Sequence, residues 1–301
     1  MRLDLALIRL HPELSRRKAR EVIEKGQVDV EGVTVLAPGA PVDDRAAIRF
    51  EPSRKARRRA RSSLPILFED DWLAVVDKPP GLLSVPTSAG AREDTALARV
   101  LDYARHRHPR RPYAAAVHRL DRDTSGALAF ALRPDARAAL RDLFRGHRIE
   151  RRYVALVEGT PREERGEVDA PLFEEYEGGR RRVARRGEPS RAALTRWAVR
   201  ERFAAGALLD VELGTGRQHQ IRVHLAHVGL PVLGDAVYRG EGRGAPPAPA
   251  SRQMLHARLL AFAHPFTGER VSVESPVPED MRRAIAALRR AGPRGRATGA
   301  R

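Results

Sequence analysis

Ala116-Val117-His118-Arg119-Leu120-Asp121-Arg122-Asp123-Thr124-Ser125-Gly126 is preceded by one apolar stretch and followed by another. That pattern describes a polar loop carried between two strands. Two carboxylates, an imidazole, two guanidiniums and two hydroxyls within so short a span exceed what solvating a turn requires. Loops on a rigid scaffold are where catalytic groups concentrate. On chemistry alone Asp121 is a nucleophile or general base, kept ionised by the nearby arginines. Asp123, Thr124 and Ser125 also fit an Asx or Ser/Thr turn closing on Gly126. The turn is the preferred reading for Thr124 and Ser125, but not for Asp121.

Two further stretches carry candidate chemistry. Arg151-Arg152-Tyr153-Val154-Ala155-Leu156-Val157-Glu158-Gly159 alternates like a half-buried strand, in which Tyr153 alone reads as core or edge packing. Gly214-Thr215-Gly216-Arg217-Gln218-His219-Gln220-Ile221-Arg222-Val223-His224-Leu225-Ala226 reads as a Gly-rich turn opening a helix over 217–228, able to offer N–H groups to a phosphate. It has neither the Gly-Lys-Ser/Thr of a P-loop nor a dinucleotide fingerprint. His219 and His224 would stand about 140° apart around a helix, which is not zinc geometry, and no metal is expected. Arg222 is available to an anion or a carboxylate.

The remaining elements follow the same periodicities. Residues 66–81 read as two strands joined at Asp70-Asp71 and ended by Pro79-Pro80-Gly81. Helices are expected at 95–105 and from a cap at Asp135 to about Phe144; strands at 128–132, 152–158, 192–202, 207–213, 254–263 and 270–274. Strands and helices mix without βαβ alternation, so the large domain (64–285) is expected to be α+β, a mixed, largely antiparallel sheet flanked by helices. Residues 1–51 form a smaller α/β module. Its Leu3, Leu5, Ala6, Leu7 and Leu10 mark one helix, Ser15 caps a second over 16–25 with Ala19, Val22 and Ile23 inward, Gly26 stops it, and short strands follow.

The chain has 301 residues, 42% of them hydrophobic, with 24 Gly, 22 Pro and no Cys. Disulfides, thiolate nucleophiles, iron–sulfur clusters and Cys-type zinc sites are excluded. Asp4 and Arg9 interrupt the N-terminal apolar pattern where an export signal needs continuity, and no run approaches the roughly 20 apolar residues that span a bilayer. A cytoplasmic location and no membrane partner are expected. Lys and Arg number 56 against 39 Asp and Glu, a net +17 that points to a polyanion, nucleic acid first. Six positive charges fall in 53–62, five in 180–186 and seven in 281–301, leaving the rest of the chain at −1. The linker (52–63), the 180s loop and the tail (286–301) therefore read as sequence-blind grips on phosphate.

The first module, with RLDLAL (2–7) and PELSRRKAREVIEKGQVDVEG (12–32), resembles the S4 RNA-binding domain. That likeness implies RNA contact by Ser15, Arg16, Arg17, Lys18 and Arg20. HRLDRDTSG (118–126), RRYVALVEG (151–159) and GTGRQHQIRVHLAHVGLPVLGDAVYRG (214–240), in that order, resemble the RluA family of RNA pseudouridine synthases, and the likeness extends over about 65–283. It implies that a uridine is flipped from its stack, its N1–C1′ bond broken and a C5–C1′ bond formed, without cofactor or metal. Asp121 then matches the essential carboxylate, which either attacks sugar or base or removes the 2′ proton. Arg222 matches its partner, and Tyr153 the aromatic that packs on the target base and assists removal of the C5 proton. Arg119 matches the residue that enters the helix where the base left, and His118 supports the loop. Arg217 and His219 join the RNA-binding set. Residues 84–94, 173–191 and 239–252 depart from or vary within the family pattern. The S4 module favours large-subunit ribosomal RNA over tRNA, acted on by a monomer. The alternatives are a tRNA pseudouridine synthase, a noncatalytic S4-type ribosome-assembly protein, or a hydrolase using Asp121 and Asp123.

Overall fold

The computed structural model describes residues 1–35, 38–54, 64–88, 91, 93–177, 180–240, 242 and 244–291. The expected basic linker and tail lie for the most part outside them. The chain divides into two compact units, Met1–Ser62 and Ser63–Arg301.

In the first unit α1 (Leu3–Leu10) and α2 (Arg16–Glu24) pack on a three-stranded antiparallel sheet with β1 (Val28–Val30) between β2 (Val33–Thr34) and β3 (Ile48–Phe50). The Ser15 Oγ accepts the Lys18 N–H at 3.2 Å, satisfying one of the free donors at the start of α2. Gly26 follows at φ +69°, in the left-handed region that ends helices. Leu3, Ala6 and Leu7 meet Ala19, Val22 and Ile23 in the core. Leu5 and Leu10, counted in the apolar pattern of α1, instead lie on its exposed side. Gln27 Nε2 donates to the carbonyls of Pro52 and Arg54, each at 2.9 Å, and Arg54 grips Asp29 with both Nη atoms at 2.7 and 2.5 Å. Arg54, assigned above to the linker, is thus bound into the first unit.

The second unit contains β4 (Ile66–Glu69), β5 (Leu73–Lys78), α3 (Ala96–Arg107), β6 (Ala115–Ala116), β7 (Ser125–Ala131), α4 (Pro134–Arg145), β8 (Glu150–Glu158) and β9 (Arg165–Asp169). Next come β10 (Leu172–Phe173), β11 (Ser190–Arg191), β12 (Leu194–Phe203), β13 (Gly206–Leu213), α5 (Gln220–His227), β14 (Leu255–Ala263), β15 (Arg270–Glu274) and α6 (Glu279–Arg290). The ten-stranded sheet runs β4-β5-β7-β14-β8-β13-β12-β9, with β15 also on β14 and β6 on β7; β10 and β11 pair separately. Its ladders are antiparallel except at β7–β14, so the α+β, largely antiparallel class is the one observed.

Both faces of this sheet are covered, so its central strands are apolar throughout rather than alternating. On one face Leu128 and Phe130 of β7 join Ala155 and Val157 of β8, Val100 of α3 and Leu225 of α5. On the other, Ala127, Ala129 and Ala131 meet Ala136, Leu140 and Leu143 of α4, while Val154 and Leu156 meet Met281, Ile285 and Leu288 of α6. At the parallel junction Gly126 takes φ +117°, and a Cβ there would lie 2.2 Å from the Ala257 carbonyl oxygen. Only glycine lets β7 approach β14 at the point where the polar loop ends.

Two helix starts differ from the sequence reading. α4 begins at Pro134 with Arg133 as N-cap, not at a capping Asp135. Proline is favoured in the first helical position, so Asp135 falls within the first turn and its carboxylate accepts the Ala136 N–H at 2.9 Å. α5 begins at Gln220 rather than at 217, because His219 adopts the left-handed conformation at φ +60°.

Candidate active site

The loop between β6 and β7 closes as a turn in which the Asp121 carbonyl accepts the Thr124 N–H at 3.1 Å. Three distant side chains fix its backbone. Ser84 Oγ donates to the Leu120 carbonyl at 2.8 Å and accepts the Leu120 N–H at 3.0 Å. Lys78, fully buried, donates from Nζ to the carbonyls of Pro79, Leu82 and Arg122 at 2.9, 2.8 and 2.9 Å. Arg252 donates to the Asp123 carbonyl at 2.9 Å while its Nε and Nη2 engage Asp280 at 2.6 and 3.0 Å. Burial pushes Lys78 down to about 7, opposed by the carboxylates of Asp123 and Asp121.

The Ser/Thr turn expected at Thr124 and Ser125 is not what their hydroxyls make. Ser125 Oγ lies 3.0 Å from His256 Nδ1 and 3.4 Å from Arg252, and the buried Thr124 Oγ1 has no hydrogen-bond partner among the described residues. Strand pairing of Ser125 with His256 wins over the local bond.

This scaffold presents the Asp121 carboxylate to α5. Its Oδ2 accepts from Arg222 Nη1 at 2.9 Å. The other side of the same guanidinium is clasped by the fully buried Asp235, at 2.6 Å from Nε and 2.9 Å from Nη2. Asp235 in turn caps the turn after α5, accepting the N–H groups of Val237 and Tyr238 at 2.9 and 3.1 Å. Burial opposes the Arg222 charge, but the carboxylates of Asp235 and Asp121 outweigh it and hold the group above its ordinary value. Tyr238 Oη accepts from the Arg181 N–H at 3.0 Å and shares a hydrogen bond with His219 Nδ1 at 2.7 Å. The other ring nitrogen of His219, Nε2, lies 3.8 Å from Asp121 Oδ1. Burial pushes His219 down, opposed by the Asp121 carboxylate.

The Gly-rich turn owes its shape to Gln220, whose Oε1 accepts from Thr215 Oγ1 at 2.8 Å and from the Arg217 N–H at 2.9 Å. That N–H is therefore not free for a phosphate. His224 is buried between Thr195 Oγ1 and the Ala170 carbonyl, both at 2.9 Å. No His, Cys, Asp and Glu group among the described residues is arranged to hold a metal.

Asp121 opens onto a cleft of about 420 Å³ whose lining includes six arginines, 119, 141, 145, 151, 217 and 222, and a single carboxylate, that of Asp121. Tyr153 lines it from β8, with burial pushing its phenol up to about 12. Arg119 is exposed there with no hydrogen bond or ion pair among the described residues, and Arg217 holds the Ala192 carbonyl at 3.2 Å. His118 accepts the Ala129 N–H at 2.9 Å and stacks on Phe144 at 4.3 Å, and burial pushes it down to about 3, so its ring braces the loop as a neutral group.

In the first unit Arg16, Arg17, Lys18 and Arg20 are exposed on α2. Arg16 and Arg20 lie 3.9 and 3.7 Å from the fully buried Asp4 carboxylate, which also takes two bonds from Arg2 at 3.0 Å. Burial alone would raise Asp4, but these cations more than offset it and hold its carboxyl below the usual value.

Sequence reasoning brought Asp121, Arg222, Tyr153, Arg119 and His219 to one cleft. It missed Asp235, Arg252, Ser84 and Gln220. An Asp directly after a glycine, as at Gly234-Asp235, was the one local signal available for any of them.

The profile of the family described as RNA pseudouridylate synthase matches residues 72–227, and that of the S4 domain residues 1–48. The ribosomal large subunit pseudouridine synthase D of Xanthomonas campestris pv. campestris is 35% identical, over 96% of this chain and 89% of that protein. Its namesake in Pseudomonas aeruginosa is 36% identical, over 96% of this chain and 92% of that protein. Among solved structures, human RNA pseudouridylate synthase domain containing 4 superposes with a TM-score of 0.63 at 25% identity, covering 75% of this chain and 93% of that one. With a profile matched over more than half its length and relatives aligned along nearly all of it, the chain belongs to the RNA pseudouridylate synthase family.

Proposed function

We propose that this enzyme isomerises specific uridines of large-subunit ribosomal RNA to pseudouridine. The observation that carries the reading is the single carboxylate, Asp121, set among arginines in the cleft and bonded at 2.9 Å to Arg222. A polyanion enters such a cleft readily, and the one anionic side chain in its wall is then the group available for chemistry. Asp121 acts on the target nucleotide either by adding to sugar or base or by taking the 2′ proton. In both routes N1–C1′ breaks, the uracil turns, C5–C1′ forms, the C5 proton leaves to solvent, N1 takes up a proton and the Asp121 carboxylate is regenerated, so atoms balance without a co-reactant. Arg222 orients the carboxylate and Tyr153 packs on the flipped base. A phenol held protonated at neutral pH suits packing better than proton removal. Exposed Arg119 takes the place of the base in the stack, offsetting part of the unstacking cost. Residues 1–51 serve as the S4-type RNA-binding domain and 64–285 as the catalytic domain, in a cytoplasmic monomer that uses no metal. The ribosomal assignment draws on the relatives' names and the S4 module.

Tritium release from large-subunit ribosomal RNA labelled at uridine C5 tests the reading. The unaltered protein is expected to release label with no strand cleavage, and Asp121→Asn to release none. Full release by that variant would overturn the assignment of Asp121.

A further inference from the structure

Three arginines of the chain are buried among the described residues, and their surroundings differ. Arg222 has Asp235 and Asp121, and Arg252 has Asp280. Arg151, only 8% exposed, forms no ion pair among the described residues; its Nε has no hydrogen-bond partner and its Nη2 reaches the Leu213 carbonyl only at 3.5 Å. Burial lowers its affinity for the proton, yet a guanidinium stays charged at neutral pH. A buried cation without a counter-ion is costly, and this one lines the cleft two residues before Tyr153 on the same strand face.

The strand motif and the Gly-rich turn meet at this side chain. A Cβ on residue 216 would lie 2.4 Å from Arg151 Nη1, so glycine at that position is what lets the guanidinium lie against the turn. Neither Leu213 nor Gly216 supplies negative charge. Arg141 and Arg145 border the same cleft, which leaves Asp121 as its sole acid, already engaged by Arg222.

We propose that Arg151 is an RNA-binding residue that receives a backbone phosphate oxygen next to the flipped uridine. The inference rests on the reading of the cleft as a pseudouridine synthase site. An anionic oxygen supplies the counter-ion the fold omits, whereas the neutral carbonyl of a uracil would leave the charge uncompensated. The contact fixes the nucleotide's backbone while Asp121 and Tyr153 engage its sugar and base.

The test compares Arg151→Met, Gly216→Ala and the unaltered protein for binding to a transcript of large-subunit ribosomal RNA over a range of salt concentrations. Melting of the RNA-free protein and tritium release are measured alongside. Arg151→Met removes the charge. Gly216→Ala keeps the charge but displaces the flexible end of the side chain, which the backbone there tolerates. The expected result is binding weakened roughly tenfold to a hundredfold by Arg151→Met at low salt. The slope of log K against log salt should fall by about 0.7 to 0.9, with melting unchanged or higher. Gly216→Ala should weaken binding in the same direction. An unchanged salt slope overturns the proposal, whether or not turnover falls, because it shows that no phosphate is lost. A melting temperature lowered in Arg151→Met also overturns it, since the residue is then a structural support. Failure of the unaltered protein to release tritium would instead strike the pseudouridine synthase reading and is seen separately.

Discussion

Asp235→Asn separates positioning from binding, because Asp235 does not line the cleft yet clasps the guanidinium that holds Asp121. The asparagine oxygen can keep the Val237 and Tyr238 N–H bonds, so the turn after α5 survives. Its amide nitrogen then replaces Oδ2 and faces Arg222 Nε donor to donor, so that 2.6 Å bond is lost and the Nη2 bond to Oδ1 loses its charge assistance, in a site with no water-exposed surface on the carboxylate. Removing one partner of a buried ion pair costs about 3–5 kcal/mol. A domain stable by roughly 5–15 kcal/mol remains folded at that cost. Arg222 Nη1 loses the anchor that fixes its 2.9 Å bond to Asp121. Misplacement of a reacting group by about 1 Å lowers a rate on the order of 10²-fold. Urea denaturation gives the first quantity and single-turnover tritium release at saturating RNA the second, with RNA affinity expected to change by less than about threefold, within ~0.7 kcal/mol. The pair replacement Arg222→Met with Asp235→Asn, which keeps an acceptor for the two backbone N–H groups, should recover much of the stability, since no buried charge is then left unpaired at residue 222, while turnover stays lost. A single-turnover rate for Asp235→Asn within about threefold of the unaltered protein, well short of the loss expected from misplacement, would refute the positioning argument.

Lys78→Met should destabilise the protein by leaving three buried carbonyls without a donor, each costing about 1–3 kcal/mol. Because burial lowers Lys78 to about 7 in the folded state, the unfolded chain binds the extra proton between about pH 7 and pH 10. The contribution of Lys78 is therefore smallest below pH 7 and rises above it. The stability difference between the unaltered protein and Lys78→Met should widen by about 2–3 kcal/mol from pH 6.5 to 9 in paired urea titrations; parallel curves would count against it. Arg17, exposed on α2 without an ion pair among the described residues, should on substitution by Ala weaken RNA binding equally across sequences and lower the salt slope by about 0.7 to 0.9, read from filter binding.

The parts of this molecule legible in its sequence are those set by local periodicity and by turn chemistry. Ser15 caps α2 where the Ser followed by basic residues and an apolar stripe placed it. The run after Gly126 is a strand buried on both sides, as an unbroken apolar stretch implies. Asp121 stood out because a charged cluster between two such strands is hard to explain as solvation. The start of α5 was not legible, since residues 217–219 carry ordinary helix formers and the left-handed turn at His219 is fixed by Gln220 reaching back to Thr215 and Arg217. Nor were Lys78, Arg252 and Ser84 legible as supports of the loop. They bind backbone carbonyls 36 to 129 residues away, and a carbonyl has no sequence signature.

The distribution of charge acquires a different meaning once partners are assigned. The runs at 53–62 and 180–186 looked like the main phosphate-binding surfaces, yet Arg54 is committed to Asp29 and Glu51, and Arg182 to Glu177 and Glu188. Arg181 is held to the carbonyls of Phe173 and Glu174 and lies over the Tyr176 ring. Residues 55–63 lie outside the described part of the chain. Paired charges release few counter-ions on binding, so a count of basic residues overstates the electrostatic footprint. The cleft draws its arginines from outside those two runs, and there Arg119 and Arg151 have no ion-pair partner among the described residues. On the proposed reading, affinity for RNA at the cleft is expected to follow from which arginines the fold leaves uncompensated, in addition to whatever the charge runs flanking the domains contribute.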